Sequence, residues 1–143
     1  MGGDVQGDAE YLNELKNLAK GLPVKILVDV SRKELIEQLS KARIYWHAMG
    51  YESNSPQEQE HFGISVVEAM ASGCVPVVVN KGGLKEIVGG KYGEVWESID
   101  ELVDKTLVVI KKNPFDCQLL IDRSRMFGKE RFNQELVRIM NLK

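Results

Sequence analysis

The chain has 143 residues, 43% of them hydrophobic and 28% charged, with a formal net charge of −2. That suffices for one domain with a real core, and it offers neither a basic field for nucleic acid nor a polybasic block for a membrane surface. No apolar run reaches the roughly 18 residues of a membrane span and no signal peptide is visible, while Cys74 and Cys117 make neither a disulfide framework nor a zinc site.

These limits predict a cytoplasmic chain with buried or idle thiols, forming a single domain over residues 1–143. Residues 1–8 are rich in Gly and Asp and read as loose. From Ala9 to Leu22 the apolar positions Leu12, Leu15, Leu18, Ala19 and Leu22 fall at helical spacing. Val24 to Val28 reads as a strand. Ser31 to Glu34 forms a capping box, followed by a helix whose inner face is Leu35, Ile36 and Leu39. Ile44 to His47 is the next strand, and a polar loop over residues 48–61 follows it. Loops of that length between compact elements are more often functional than not.

Gly63 opens an apolar helix that stops at Gly73, a residue suited to the left-handed C-terminal position. Ile64, Val66, Val67, Ala69, Met70 and Ala71 make this helix apolar almost all round, so it is expected to be buried. Glu68 is its one carboxylate, and a lone carboxylate in such a setting is costly unless something binds it. The open backbone N–H groups of the first turn suit an anion. Glu68 lies about 7 Å further along the axis, at 1.5 Å per residue. A diphosphate at the helix entry would bring a ribose diol within its reach, and a carboxylate accepts both hydrogen bonds of a diol. The plainer alternative, that Glu68 caps or pairs with a neighbouring element, has about equal weight on local pattern alone.

A buried strand follows from Val75 to Asn80, then a turn at Lys81-Gly82-Gly83 and a short helix from Leu84 to Val88. Gly93 to Trp96 reads as a last short strand. Ser98 to Glu101 is a second capping box, opening a helix to about Lys112. Asn113-Pro114 is expected to start another helix ending near Gly128. Phe132, Leu136, Ile139 and Met140 give the closing helix one apolar face. Arg123, Arg125, Lys129 and Arg131 read as a solvated basic cluster, and Trp46 and Trp96 as core or rim aromatics. Strands alternating with helices argue an α/β fold with a Rossmann-like parallel sheet and flanking helices. Ligands of such sheets bind beyond the carboxyl ends of the strands, which is where the 48–63 loop sits.

Glu60 and Glu68 are separated by seven residues. With Phe62-Gly63, Glu68-Ala69-Met70-Ala71, Gly73, Pro76, Gly82-Gly83 and Glu86-Ile87-Val88, they resemble the signature of the group 1 retaining glycosyltransferases of the GT-B fold. His47-Ala48-Met49 and Glu60-His61-Phe62-Gly63-Ile64 resemble that family's GDP-mannose-dependent α-1,2-mannosyltransferase branch in lipid-linked oligosaccharide synthesis. The resemblance covers nearly the whole chain but only part of the family's length, the C-terminal half of the GT-B fold, truncated at its N-terminal side.

The resemblance implies a nucleotide-sugar substrate, GDP-mannose for this branch, with no metal required. It implies that Glu60 contacts the donor sugar as the catalytic residue. It implies a donor site drawn from His47, His61, Phe62, Gly63, Ile64, Ser65, Glu68, Gly82 and Gly83. For His47, core packing and site lining weigh about equally, and for Gly82-Gly83 a plain tight turn is as good a reading. It also implies an acceptor-binding N-terminal domain or partner chain, and two central strands carrying a phosphate-binding Arg and Lys that no pair here matches. Val24–Val28 is therefore expected either to pair abnormally or to contact a second chain, and an exposed sheet edge to allow a homo-oligomer. The alternative is a non-catalytic, truncated or split nucleotide-binding module.

Overall fold

A computed structural model describes residues 5–140. The helices are α1 (Val5–Leu18), α2 (Arg32–Lys41), α3 (Ile64–Ala71), α4 (Leu84–Val88), α5 (Ile99–Lys112), α6 (Cys117–Arg125) and α7 (Lys129–Ile139). The strands are β1 (Ile44–His47), β2 (Val75–Val79) and β3 (Glu94–Trp96). The chain divides into two compact units, one ending at Glu34 and the other beginning at Leu35.

In the first unit α1 starts at Val5, so residues 5–8 are helical rather than loose, while residues 1–4 lie outside the described residues. Val24–Val28 is not a strand: it takes no regular secondary structure and joins no ladder among the described residues. A β-rich run becomes a strand only when another backbone takes its N–H and C=O groups. Here Val24 and Ile26 instead line a shallow apolar cavity of about 270 Å³ with Leu15, Leu18 and Leu22. Ser31 caps the helix as expected, the Glu34 N–H donating to Ser31 Oγ at 3.2 Å.

The second unit holds the sheet, ordered β1-β2-β3 and parallel throughout. Every residue of β2 is buried, which is why it reads as an unbroken apolar run rather than an alternating one. Both crossovers, β1-α3-β2 and β2-α4-β3, step across the sheet in one direction. The right-handed rule then places α3 and α4 on the same face. Strand alternation turns Trp46 the other way, toward α5, where its Nε1 donates to Thr106 Oγ1 at 3.0 Å. Arg43 reaches the same helix, donating to the Val109 carbonyl at 2.9 Å.

The core gathers Val66, Met70, Val77, Val78, Leu84, Val88, Trp96, Val109 and Leu120 around β2. Of the two tryptophans, Trp96 is fully buried and Trp46 largely exposed. Arg123 is not a solvated surface residue. It donates to the carbonyls of Ile87 at 3.0 Å and Glu86 at 2.7 Å and lies over the Tyr92 and Phe127 rings, tying α6 to the end of α4. Asn113 ends α5 in a left-handed conformation, and α6 starts only at Cys117. Asp116 is its cap, accepting the Gln118 N–H at 2.7 Å, because a carboxylate can take that orphan N–H and Pro114 cannot.

Candidate functional site

The 48–63 loop leaves the carboxyl end of β1, makes a single 3-10 turn at Pro56–Glu58 and is pinned at its far end to the turn after β2. The Gly83 N–H donates to the Glu60 carbonyl at 3.0 Å, and the Gly82 N–H to Gln59 Oε1 at 3.1 Å. A Cβ at Gly82 would strike the Glu60 carbonyl, and one at Gly83 the His61 carbonyl. These glycines are therefore more than a plain turn: they let one backbone lie directly on another. Lys81 adds a third tie, its Nζ donating to the Ser53 carbonyl at 3.2 Å.

Gly63 caps α3 in the left-handed conformation (φ +84), where a Cβ would lie 2.8 Å from Leu84 Cδ2. The chain so turned sets Glu60 across the helix entry. Glu60 Oε1 accepts the Phe62 N–H at 3.2 Å, and Oε2 lies 3.8 Å from His47 Nε2. Burial acts to raise the Glu60 pKa. The N–H groups of Gly63 and Phe62, the neighbouring His47 and the His61 N–H outweigh it and hold the carboxyl below the ordinary range. Burial pushes the His47 imidazole below its ordinary value, with Glu60 pulling the other way.

Both shifts work in one direction on stability. A lowered His47 pKa means that the unfolded chain binds more protons below pH 6.5, so stability is full above that value and falls as pH drops through the folded pKa. The lowered Glu60 pKa adds a second loss, at pH below the ordinary carboxylate range. In urea unfolding at a series of pH values, His47→Phe is expected to lose the upper step and keep the lower one. Superimposable pH profiles for the two proteins between about pH 5 and 6.5 would contradict this assignment.

The other predicted residues are placed less uniformly. His61 and Phe62 are exposed, with the Phe62 ring set edge-on to Phe127 at 5.9 Å. Ile64 is 65% exposed, and Ser65 and Glu68 are half-buried. The expectation of a helix buried all round is therefore corrected. α3 buries Val66, Ala69 and Met70, packing against α6 as well as the sheet, and those two neighbours still leave a side uncovered. Glu68 occupies that partly open side rather than an apolar interior.

Sequence reasoning passed over Tyr51, Asn80, Lys81 and Glu97. With Val79 they line a cleft of about 350 Å³ at the carboxyl edge of the sheet. Asn80 Nδ2 donates to Glu97 Oε1 at 2.6 Å, and the Tyr51 ring packs on Trp96 at 5.0 Å. An adjoining cleft of similar size is lined by Gly50, Tyr51, Glu52, Ser53 and Glu58. The available signal was position: Asn80 and Glu97 are the residues immediately after β2 and β3. Among the described residues no three His, Cys, Asp or Glu side chains gather as metal ligands, and no helix is long and apolar enough to cross a membrane.

Residues 3–124 match the family described as glycosyl transferases group 1. Several relatives carry the name GDP-Man:Man(3)GlcNAc(2)-PP-Dol alpha-1,2-mannosyltransferase. That of Dictyostelium discoideum is 38% identical over 57% of this chain and 15% of its own length. The Xenopus laevis protein is 40% identical over 54% of this chain and 15% of its own. The Homo sapiens protein is 31% identical over 94% of this chain and 28% of its own. The chain thus spans a small part of the relatives it matches.

Proposed function

Because the chain belongs to the group 1 glycosyl transferases, we propose that it is the donor-binding portion of a retaining glycosyltransferase of the GT-B fold, with GDP-mannose as hexosyl donor. One observation carries this reading: Glu60 stands across the N-terminus of α3, at the carboxyl edge of the sheet, with Glu68 further along the same helix. In this reading the backbone N–H groups at Ile64 and Ser65, set by the turn at Gly63, face the diphosphate, and Glu68 accepts the ribose hydroxyls. Glu60 and His61 face the sugar, with Phe62 at the rim. His47 stands behind Glu60, and Gly82 and Gly83 hold the loop in place. The relatives' shared name includes GDP-Man, which favours that donor over other nucleotide sugars.

The arrangement has an electrostatic requirement. Glu60 already accepts a backbone N–H at the helix entry, so a diphosphate there meets a carboxylate as well as a helix end. Cationic side chains must offset that repulsion, and the reading assigns them to residues beyond this chain, with no metal required. The acceptor site belongs to an N-terminal domain or a partner chain. Among the described strands β1 pairs only with β2, so its other edge is where further strands or a second copy would join. The setting proposed is the cytoplasm, at a membrane surface only through such a partner.

Glu68→Gln tests the ribose assignment. Calorimetry with GDP is expected to show binding weakened by roughly 1.5–3 kcal/mol, the range for a hydrogen bond to a charged group. Because Glu68 is only half-buried, unfolding stability should change little. Unchanged affinity together with a large stability loss would make Glu68 a structural residue.

A further inference from the structure

We propose that His47 is a positioning residue for Glu60: its Nε2–H, presented at the carboxyl end of β1, takes one oxygen of the Glu60 carboxylate and so decides how the other faces the ligand. The inference rests on the donor-site reading of Glu60. Its geometry begins with the strand. His47 pairs in register with Val78, which fixes its backbone, and its ring lies 6.4 Å from that of Tyr45 on the same face. The residue is 92% buried by side-chain exposure of 8%, yet it is not an apolar filler. Nδ1 is buried with no hydrogen-bond partner among the described residues, whereas Nε2 faces Glu60 Oε2 at 3.8 Å.

That asymmetry sets the tautomer. A buried N–H without an acceptor costs more than a buried lone pair, so the proton belongs on Nε2, facing the carboxylate. The 3.8 Å separation is too long for a hydrogen bond. A small rotation of the Glu60 side chain closes it, while Oε1 keeps the Phe62 N–H as its other partner. A phenylalanine would fill the same space without an orphaned nitrogen, so packing alone gives no reason for an imidazole here. The carboxylate gives one. Glu60 is the charged group acting on His47, and Tyr45 is the ring beside it.

The test uses the whole chain and has two arms. In nitrogen-detected NMR, His47 is expected to carry its proton on Nε2 at neutral pH. Glu60→Gln should move the His47 titration midpoint further down, since the carboxylate that favours the imidazolium is gone. A proton on Nδ1, or a midpoint that does not move, overturns the proposal. This arm decides the pairing whether or not a nucleotide binds. In the second arm GDP and GDP-mannose are titrated by calorimetry. His47→Phe should cut the affinity for GDP-mannose about tenfold relative to GDP, the scale of one hydrogen bond to a charged group. His47→Gln, whose amide can donate, should recover part of that loss. GDP bound with an unchanged GDP-mannose ratio in His47→Phe also overturns the proposal. Failure of the wild-type chain to bind either nucleotide, beside a positive NMR arm, counts against the donor-site reading and leaves the His47–Glu60 pairing standing.

Discussion

Mixed with GDP-mannose and a lipid-linked or simple alkyl sugar acceptor, the purified 143-residue chain will form no product above background. Positioning is what the chain lacks. Holding two reactants in register accounts for roughly 7–11 kcal/mol of a barrier, and it needs a surface that faces the donor. Within the described residues the site is one edge of a three-stranded sheet with its loops, and it offers one side of a cleft. The departing diphosphate also needs cations. Lys81, beside the glycine turn that seats the loop, is already donating to the Ser53 carbonyl. Radiolabelled mannose transfer is the measurement. Product that disappears on Glu60→Ala would show that the chain catalyses by itself and that its helix end stabilises the leaving group unaided.

Replacing Trp96 by alanine will destabilise the second unit by about 3–5 kcal/mol, the range for removing a large aromatic from a packed core. Trp96 is fully buried, donates from Nε1 to the Val77 carbonyl at 3.3 Å, and supports the Tyr51 ring at 5.0 Å. Domains have only about 5–15 kcal/mol to lose, so the unfolding midpoint should fall by roughly 10 °C or more. Tyr51 would lose its ring partner, and with it the wall shared by the two clefts. Trp96→Phe keeps an aromatic but leaves the Val77 carbonyl without this donor, and should cost about 1–3 kcal/mol. Denaturant midpoints of both variants check the order. An alanine variant as stable as the wild type would mean that the core around β2 closes over the gap.

Several elements were legible because their signals are local. Gly73 has φ +81 just past α3, and Ser98 accepts the Glu101 N–H at 3.2 Å, each read from residue type and spacing. The apolar run of β2 announced a strand covered on both faces. Where the reading failed, a non-local fact was missing. Val24–Val28 has strand composition, but composition supplies no neighbouring backbone. Arg123 looked like one of four surface cations, and nothing nearby in sequence shows that the carbonyls of Glu86 and Ile87 lie within its reach.

For the site itself, the sequence alone determined the helix entry: Gly63 at the cap, a carboxylate three residues before it and another five residues after, and the family these mark. Backbone conformation and helical rise are set within a few residues, so such features survive without knowledge of the rest of the chain. Only the tertiary structure decided what Glu60 touches. His47 lies thirteen positions upstream in the chain, and the strand end and the returning loop bring it within 3.8 Å of Glu60. It also decided that Gly82 and Gly83 are a seat for that loop, and that Glu68 stands on a half-open helix face rather than inside the core. Contacts between segments far apart in the chain follow from how the layers pack, and the residues on either side of such a contact carry no local trace of it.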